Sequence, residues 1–180
     1  MKKLVLGVAL AVMLATGTVF ADHPGGWGIG VEWRGNLYSN NLRGGAVSLK
    51  IPGIPVFWGI NLGFGKNYFG IGVTGDFYVL DKTISGPFGF YVGIGGYFDF
   101  YSWKWSGNKD YSYTVLGIGA RVPIGLSIQP ISWFEVFIDI APSLGLGIDF
   151  EGKKDGVVYH KGNVGFGFGL PLEIGLRFWF

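Results

Sequence analysis

The stretch VGFGFGLPLEIGLRFWF, residues 164–180, decides the fold because apolar residues occupy every second position along it. All of its even positions are apolar, from Val164 to Phe180. Its odd positions hold mainly glycine, with one acid, Glu173, and one base, Arg177. Successive side chains of a β-strand point to opposite faces. Alternation over this length therefore predicts a strand with one wholly apolar face.

Seven further segments show the same period of two. The first places Trp27, Ile29, Val31 and Trp33 on one face, opposite Glu32 and Arg34. We predict these seven strands near residues 26–34, 45–51, 56–65, 68–80, 87–102, 112–128 and 133–150, which with residues 164–180 makes eight.

The composition indicates that the apolar faces meet lipid. Charged residues make up only 14% of the chain, and glycine occurs 34 times. A soluble domain carries about 25% charged residues. After residue 21 no run of about 20 apolar residues could form a spanning helix, and a closed barrel is the other structure that pairs every backbone group in lipid. We therefore predict an all-β fold, an eight-stranded antiparallel transmembrane β-barrel with an up-and-down meander.

A soluble barrel of the lipocalin type is the alternative, with apolar side chains inside and charges outside. The longest predicted strands have 16 to 18 residues, more than the roughly 9–11 that cross a bilayer. Their continuous apolar face favours lipid outside and a polar lumen inside.

Residues 1–21 have the pattern of a secretory signal peptide. Lys2 and Lys3 precede the apolar run Leu4 to Leu14, and Ala21 is a small residue at the expected cleavage site. A retained anchor is the alternative. The barrel domain would then be residues 22–180, with 12 basic and 12 acidic residues once Lys2 and Lys3 are removed. This neutral balance gives no support to nucleic-acid binding. We expect export through the periplasm to the outer membrane.

Aromatic residues collect at the predicted strand ends, as in the two aromatic belts at a membrane boundary. Aromatic packing in an ordinary β core is the alternative. Short turns are predicted at the periplasmic side, and longer polar loops near residues 35–44, 103–111 and 151–163 at the outer side. The predicted belt residues are Trp27, Trp33, Trp58, Trp103, Trp133 and Trp179.

Charged side chains fall on the face predicted to line the lumen. Charges in so narrow an interior need partners, which predicts a network of ion pairs, with Arg121 and Arg177 bridging acids on neighbouring strands. A polar track for ions or a gate is the alternative, although eight strands enclose only their own side chains or one small ligand. The predicted network comprises Glu32, Arg34, Asp76, Asp99, Arg121, Glu135, Asp139, Glu173 and Arg177, and Lys50 and Asp149 share its face.

The sequence offers little chemistry for catalysis. A nucleophile needs an adjacent base, yet His23 lies in the N-terminal tail and His160 in the last loop, neither beside a serine on a strand. There is no cysteine, so thiolate metal sites are excluded. We predict no catalytic residues, no metal and no cofactor. Residues 101–105 and 111–113 are rich in Tyr and Trp, which interfaces favour, so loops could bind an extracellular ligand. Continuation of the aromatic belt is the alternative.

The chain end carries a resemblance to a known family. Glu173, Gly175, Phe178 and the terminal Phe180 resemble the C-terminal assembly signal of bacterial outer-membrane barrels, and residues 121–126 and 134–146 look like the sixth and seventh strands of small OmpA-, OmpX- or OmpW-like barrel domains. The resemblance implies contact with the barrel-assembly machinery and with outer-membrane lipids. This fold hosts many activities, so two functions are expected: a non-enzymatic structural or surface-interaction role, or a narrow channel for ions or small solutes.

Overall fold

The computed structural model describes residues 23–37, 44–65, 67–105, 111–150, 152–154, 157–160 and 162–180. The predicted signal segment and parts of the three predicted long loops lie outside these residues. The described strands are β1 (Gly28–Asn36), β2 (Gly44–Lys50), β3 (Phe57–Gly65), β4 (Tyr68–Ser85), β5 (Phe88–Trp105), β6 (Tyr111–Arg121), β7 (Ile124–Ile131), β8 (Phe134–Ile140), β9 (Ser143–Asp149), β10 (Gly152–Lys154), β11 (Val157–His160), β12 (Asn163–Gly169) and β13 (Pro171–Trp179).

Eleven of these strands form one closed, antiparallel barrel. β1 to β5 pair in chain order, β5 pairs with both β6 and β7, and these pair with β9 and β8 respectively. β9 and β8 continue to β12 and β13, and β13 closes the ring against β1. Since β6–β7, β8–β9 and β12–β13 each act as one interrupted strand, the barrel has eight strands in meander order, as the sequence predicts. β10 and β11 form a separate hairpin.

Proline explains the three interruptions. Val122–Pro123 separates β6 from β7, Ala141–Pro142 separates β8 from β9, and Pro171 opens β13. Proline has no N–H to donate to a ladder. Its carbonyl still accepts: the Pro123 carbonyl binds the Gly93 amide at 2.8 Å, and the Pro142 carbonyl binds the Val122 amide at 2.9 Å. The barrel therefore stays closed across each break.

Two glycines permit short turns at the end of the barrel that holds the start of β1 and the end of β13, here called the terminal end. Gly53, between β2 and β3, has φ of 74°, and Gly86, between β4 and β5, has φ of 54°. Residues with a Cβ rarely adopt this left-handed conformation. The other end of the barrel is called the distal end.

The two faces of the barrel differ in chemistry. The outward rows are exposed and apolar, including Val31, Leu62, Phe98, Leu126 and Phe166, whereas the inward rows hold buried acids, arginines and hydroxyl groups. The predicted orientation, apolar outside and charged inside, is therefore the observed one. Among the described residues, no helix is long and apolar enough to cross a membrane.

Candidate functional site in the barrel lumen

Glu173 is the centre of the charged interior. It lies on β13 and accepts two hydrogen bonds from Arg121 of β6, at 2.8 and 2.7 Å. It also forms an ion pair with Arg34 of β1, whose Nε lies 2.6 Å from Glu173 Oε1. All three side chains are buried. A fork of two parallel N–H···O contacts fixes the carboxylate in one orientation. One acid thereby ties β13 to its neighbour β1 and to β6, with which β13 does not pair.

Two further acids complete this central group. Glu32 Oε1 lies 2.6 Å from Arg34 Nη2, and Asp76 Oδ1 lies 3.2 Å from Arg121 Nε. Unpaired buried charges are costly, whereas paired and hydrogen-bonded ones are tolerated. The two guanidinium groups are therefore already neutralised by their own neighbours.

A second pair lies nearer the terminal end. Arg177 donates to Glu135 at 2.9 Å and to the hydroxyl of Ser48 at 2.9 Å, and the Trp179 indole donates to the same Glu135 oxygen at 2.9 Å. The Arg177 guanidinium carbon lies 4.8 Å from the Phe57 ring centroid and 4.6 Å from that of Phe137. Arginine held between aromatic rings in this way gains cation–π attraction as well as charge pairing.

His23 enters the lumen from the N-terminal segment. Its Nδ1 lies 2.6 Å from Asp81 Oδ2 and its Nε2 lies 2.9 Å from Glu135 Oε1. Burial alone would lower the pKa of His23, but the hydrogen bonds and charges of Asp81 and Glu135 outweigh it and raise the pKa to about 9. His23 is therefore an imidazolium at neutral pH, donating from both nitrogens.

Aromatic rings surround His23 and fill this part of the lumen. Phe57 stacks on Tyr78 at 4.1 Å between centroids, Tyr78 stacks on Tyr91 at 4.5 Å, and Trp179 lies 5.8 Å from the imidazole. The Tyr91 hydroxyl donates to Asp139 at 2.7 Å. We call His23, Phe57, Tyr78, Tyr91 and Trp179 the terminal plug.

The distal half of the lumen is open by comparison. It contains a cavity of about 300 Å³, with Arg34 and Arg121 at its inner end and Asp99, Tyr97 and Tyr101 along one wall. Much of the remaining lining is glycine, on the inward rows of β6, β9 and β12. A Cβ added at Gly167 would have no atom within 4 Å, so the absence of side chains is what leaves this space. The lining glycines on these rows are Gly117, Gly145, Gly147, Gly167 and Gly169, and Gly35 of β1 also borders the cavity.

The structure places all nine residues of the predicted charge network inside the barrel. Seven of them form ion pairs with one another: Glu32, Arg34, Asp76, Arg121, Glu135, Glu173 and Arg177. Asp139 instead accepts from Tyr91, and Asp99 faces the distal cavity. Lys50 donates to the carbonyls of Ile51 and Ile54 at the terminal end.

The predicted aromatic belts need a correction. Trp27, Trp33 and Trp133 are exposed on the outward face, and Trp58 shares the outward row of Leu62. Trp179 instead is buried in the lumen beside Glu135, and Trp103 lies on the inward row of Asp99, with its ring 5.1 Å from Tyr68 and 4.9 Å from Tyr101. Position along a strand had suggested the belt, but both residues have the parity of the inward face, which decides the side.

His23 and its partner Asp81 are interior residues that sequence reasoning missed, as are Tyr78 and Tyr91. His23 precedes the first strand, where no alternation indicates the direction of a side chain. The one available signal was the excess of predicted luminal acids over bases, which calls for a further cation.

The C-terminal residues are split between the two faces. Glu173 and Gly175 lie on the inward row of β13, whereas Phe178 and Phe180 are exposed outside. In the described part of the chain no three His, Cys, Asp or Glu side chains are grouped to hold a metal ion.

Comparisons with known proteins give one family and one solved structure. The structure entitled "Crystal structure of Neisserial surface protein A (NspA)" is similar with a TM-score of 0.42 and 16% sequence identity, over 87% of this chain and 98% of that chain. The comparison with curated proteins found no match. The profile of the family DUF3996, described as "Protein of unknown function (DUF3996)", matches residues 48–170. Since this match spans more than half of the sequence, the chain belongs to the DUF3996 family.

Proposed function

We propose that this protein is an integral outer-membrane β-barrel with a non-enzymatic structural or surface-interaction role. The supporting observation is the contrast between its two faces. The outward rows carry large apolar side chains, including Phe166 at 83% and Leu144 at 59% exposure, while acids and arginines pair inside. Soluble barrels have the opposite arrangement. Lipid would cover the outward rows, and exposure of this extent has no counterpart on most soluble monomers.

The terminal plug favours a closed barrel over a conduit. Its neighbouring rings lie 4.1 to 6.3 Å from one another or from His23, and Arg177 lies against Phe57. Ions would need a continuous wet path, which stacked rings and paired charges do not provide. The distal cavity is the observation that favours the second candidate, a narrow channel, because it supplies half of such a path.

His23 supports the non-enzymatic part of the proposal. Both of its ring nitrogens are taken by the carboxylates of Asp81 and Glu135. A base that activates serine must leave one nitrogen for the hydroxyl.

The test is refolding of residues 22–180 into detergent and transfer to a planar lipid bilayer. Heat-modifiable migration on a gel reports the closed barrel. We expect a folded protein that inserts and shows no discrete openings. Reproducible single-channel openings would make the channel the correct function, and a barrel that folds in buffer without detergent and never inserts would contradict the membrane location.

If the folded protein shows no channel openings, replacing residues of the terminal plug tests whether the plug is the reason. The double substitution W179A/Y78A removes two rings of the terminal plug, and W133A removes an exposed outward ring at the same end. We expect openings from the first variant and none from the second.

A further inference from the structure

Two buried polar groups face the distal cavity without a partner in the described structure. Asp99 is 8% exposed, and its carboxylate forms no hydrogen bond or ion pair with a described residue, although the charges of Arg34 and Arg121 act on it. The Asn61 side chain is 4% exposed, and its Nδ2 also lacks a hydrogen-bond acceptor. Buried polar groups are normally satisfied. An unpaired acceptor and an unpaired donor on the same cavity therefore indicate a ligand that supplies both partners.

The charges around the cavity indicate whether that ligand is a cation or an anion. Arg34 and Arg121 also line it, but Glu32, Glu173 and Asp76 hold both guanidinium groups at 2.6 to 3.2 Å. Both guanidinium groups are thus already paired with other acids, and although their charges also favour the Asp99 carboxylate, neither forms an ion pair with it. A cation would complete the site, and an anion would meet an unpaired carboxylate.

The side chains beside Asp99 indicate which chemical type of cation the cavity would bind. Tyr97 and Tyr101 are two residues away on either side along β5, so they share its inward face. Nearer the distal end, Trp103 lies 4.9 Å from Tyr101, 5.1 Å from Tyr68 and stacks on Tyr113 at 6.2 Å. Aromatic faces attract organic ammonium ions. Metal ions such as Ca²⁺ need several oxygen ligands, and the described lining has a single carboxylate.

We propose that the distal cavity binds a small organic ammonium ion, with its nitrogen at Asp99 between Tyr97 and Tyr101. The Asn61 amide donates to an acceptor elsewhere on the ligand, or to a water that the ligand holds. A volume of about 300 Å³ lies at the lower limit for small-molecule sites. Binding needs only the folded barrel and not its location in a membrane, so failure here would leave the proposed function untouched.

The test is calorimetric titration of the refolded chain in maltoside micelles, which carry no ammonium group. The probe is n-butylammonium chloride, and 1-butanol and sodium butyrate serve as the neutral and anionic probes of the same length. We expect saturable one-to-one binding of n-butylammonium and at least about tenfold weaker binding of the other two, since only the cation gains the charge and cation–π contacts.

Two pairs of variants test the site itself. Asp99→Asn removes the carboxylate, and Asp81→Asn removes one at the opposite end of the lumen. Gly167→Leu adds a side chain to open space in the cavity, and Gly45→Leu adds the same side chain to open space on the outward row of β2. We expect the first member of each pair to lose about tenfold or more in affinity and the second to bind like the original chain.

Heat-modifiable migration establishes that each variant is folded. If Asp99→Asn does not fold, Gly167→Leu still decides, because no atom lies near its added Cβ. The proposal is wrong if the folded original chain shows no saturable binding, if 1-butanol binds as well as n-butylammonium, or if folded Asp99→Asn or Gly167→Leu retains full affinity.

Discussion

At the scale of single residues, His23 makes the stability of the barrel depend on pH. Its pKa is raised from 6.5 to about 9 in the folded chain, so folding binds the proton more tightly. The resulting stabilisation is complete below pH 6.5 and disappears as the pH rises through about 9. We expect His23→Gln to lower the free energy of unfolding by roughly 3 kcal/mol below pH 6.5, from the size of the shift, and by much less above pH 9.

Urea unfolding of both chains in micelles, followed by tryptophan fluorescence at several pH values, measures this difference. Groups that titrate equally in the two chains cancel from it. The double substitution H23Q/D81N is the control, because Asp81→Asn should cost much less when His23 is already absent. A difference between the original chain and His23→Gln that stays constant from pH 6 to pH 10 would show that His23 gains no proton on folding.

At the scale of the strands, closure of the barrel depends on close backbone approach between β1 and β13. A Cβ added at Gly30 would clash with the Leu176 carbonyl oxygen, whereas one added at Gly45 on β2 meets nothing within 4 Å. Backbone atoms cannot move aside as a flexible side chain does. We expect Gly30→Ala to prevent or greatly slow closure and Gly45→Ala to fold normally. Equal heat-modifiable fractions of the two variants after refolding would contradict this expectation.

The strands are also the part of the fold that the sequence predicts best. Alternation in β13 identifies both its existence and its faces, since Glu173 and Arg177 follow the same parity as the buried row. The same rule, applied to Trp103 and Trp179, would have placed them inside. The breaks at Pro123 and Pro142 interrupt ladders without reversing the chain, so the predicted segments run through them.

Other parts of the interior could not be read from the pattern. Register between strands sets which acid meets which arginine, and Glu173 lies 52 residues from Arg121 in the chain. The cavity depends on which glycines share an inward row at the distal end. The insertion of His23 depends on the path of a segment with no periodicity. Each of these features arises only when the barrel closes.

At the scale of the whole molecule, lipid around the barrel predicts a cost for charge that depends on depth. Ile138 lies on the outward row in the middle of the barrel wall, and Ile84 lies beside the turn at Gly86, and both are exposed, at 43% and 63%. Arginine at the midplane of a bilayer costs about 2–4 kcal/mol, and near its boundary about 0–1 kcal/mol. We expect Ile138→Arg to destabilise the barrel in lipid vesicles by the larger amount and Ile84→Arg by the smaller. Urea unfolding in vesicles measures both, and equal costs at the two positions would mean that water, not lipid, surrounds the apolar rows.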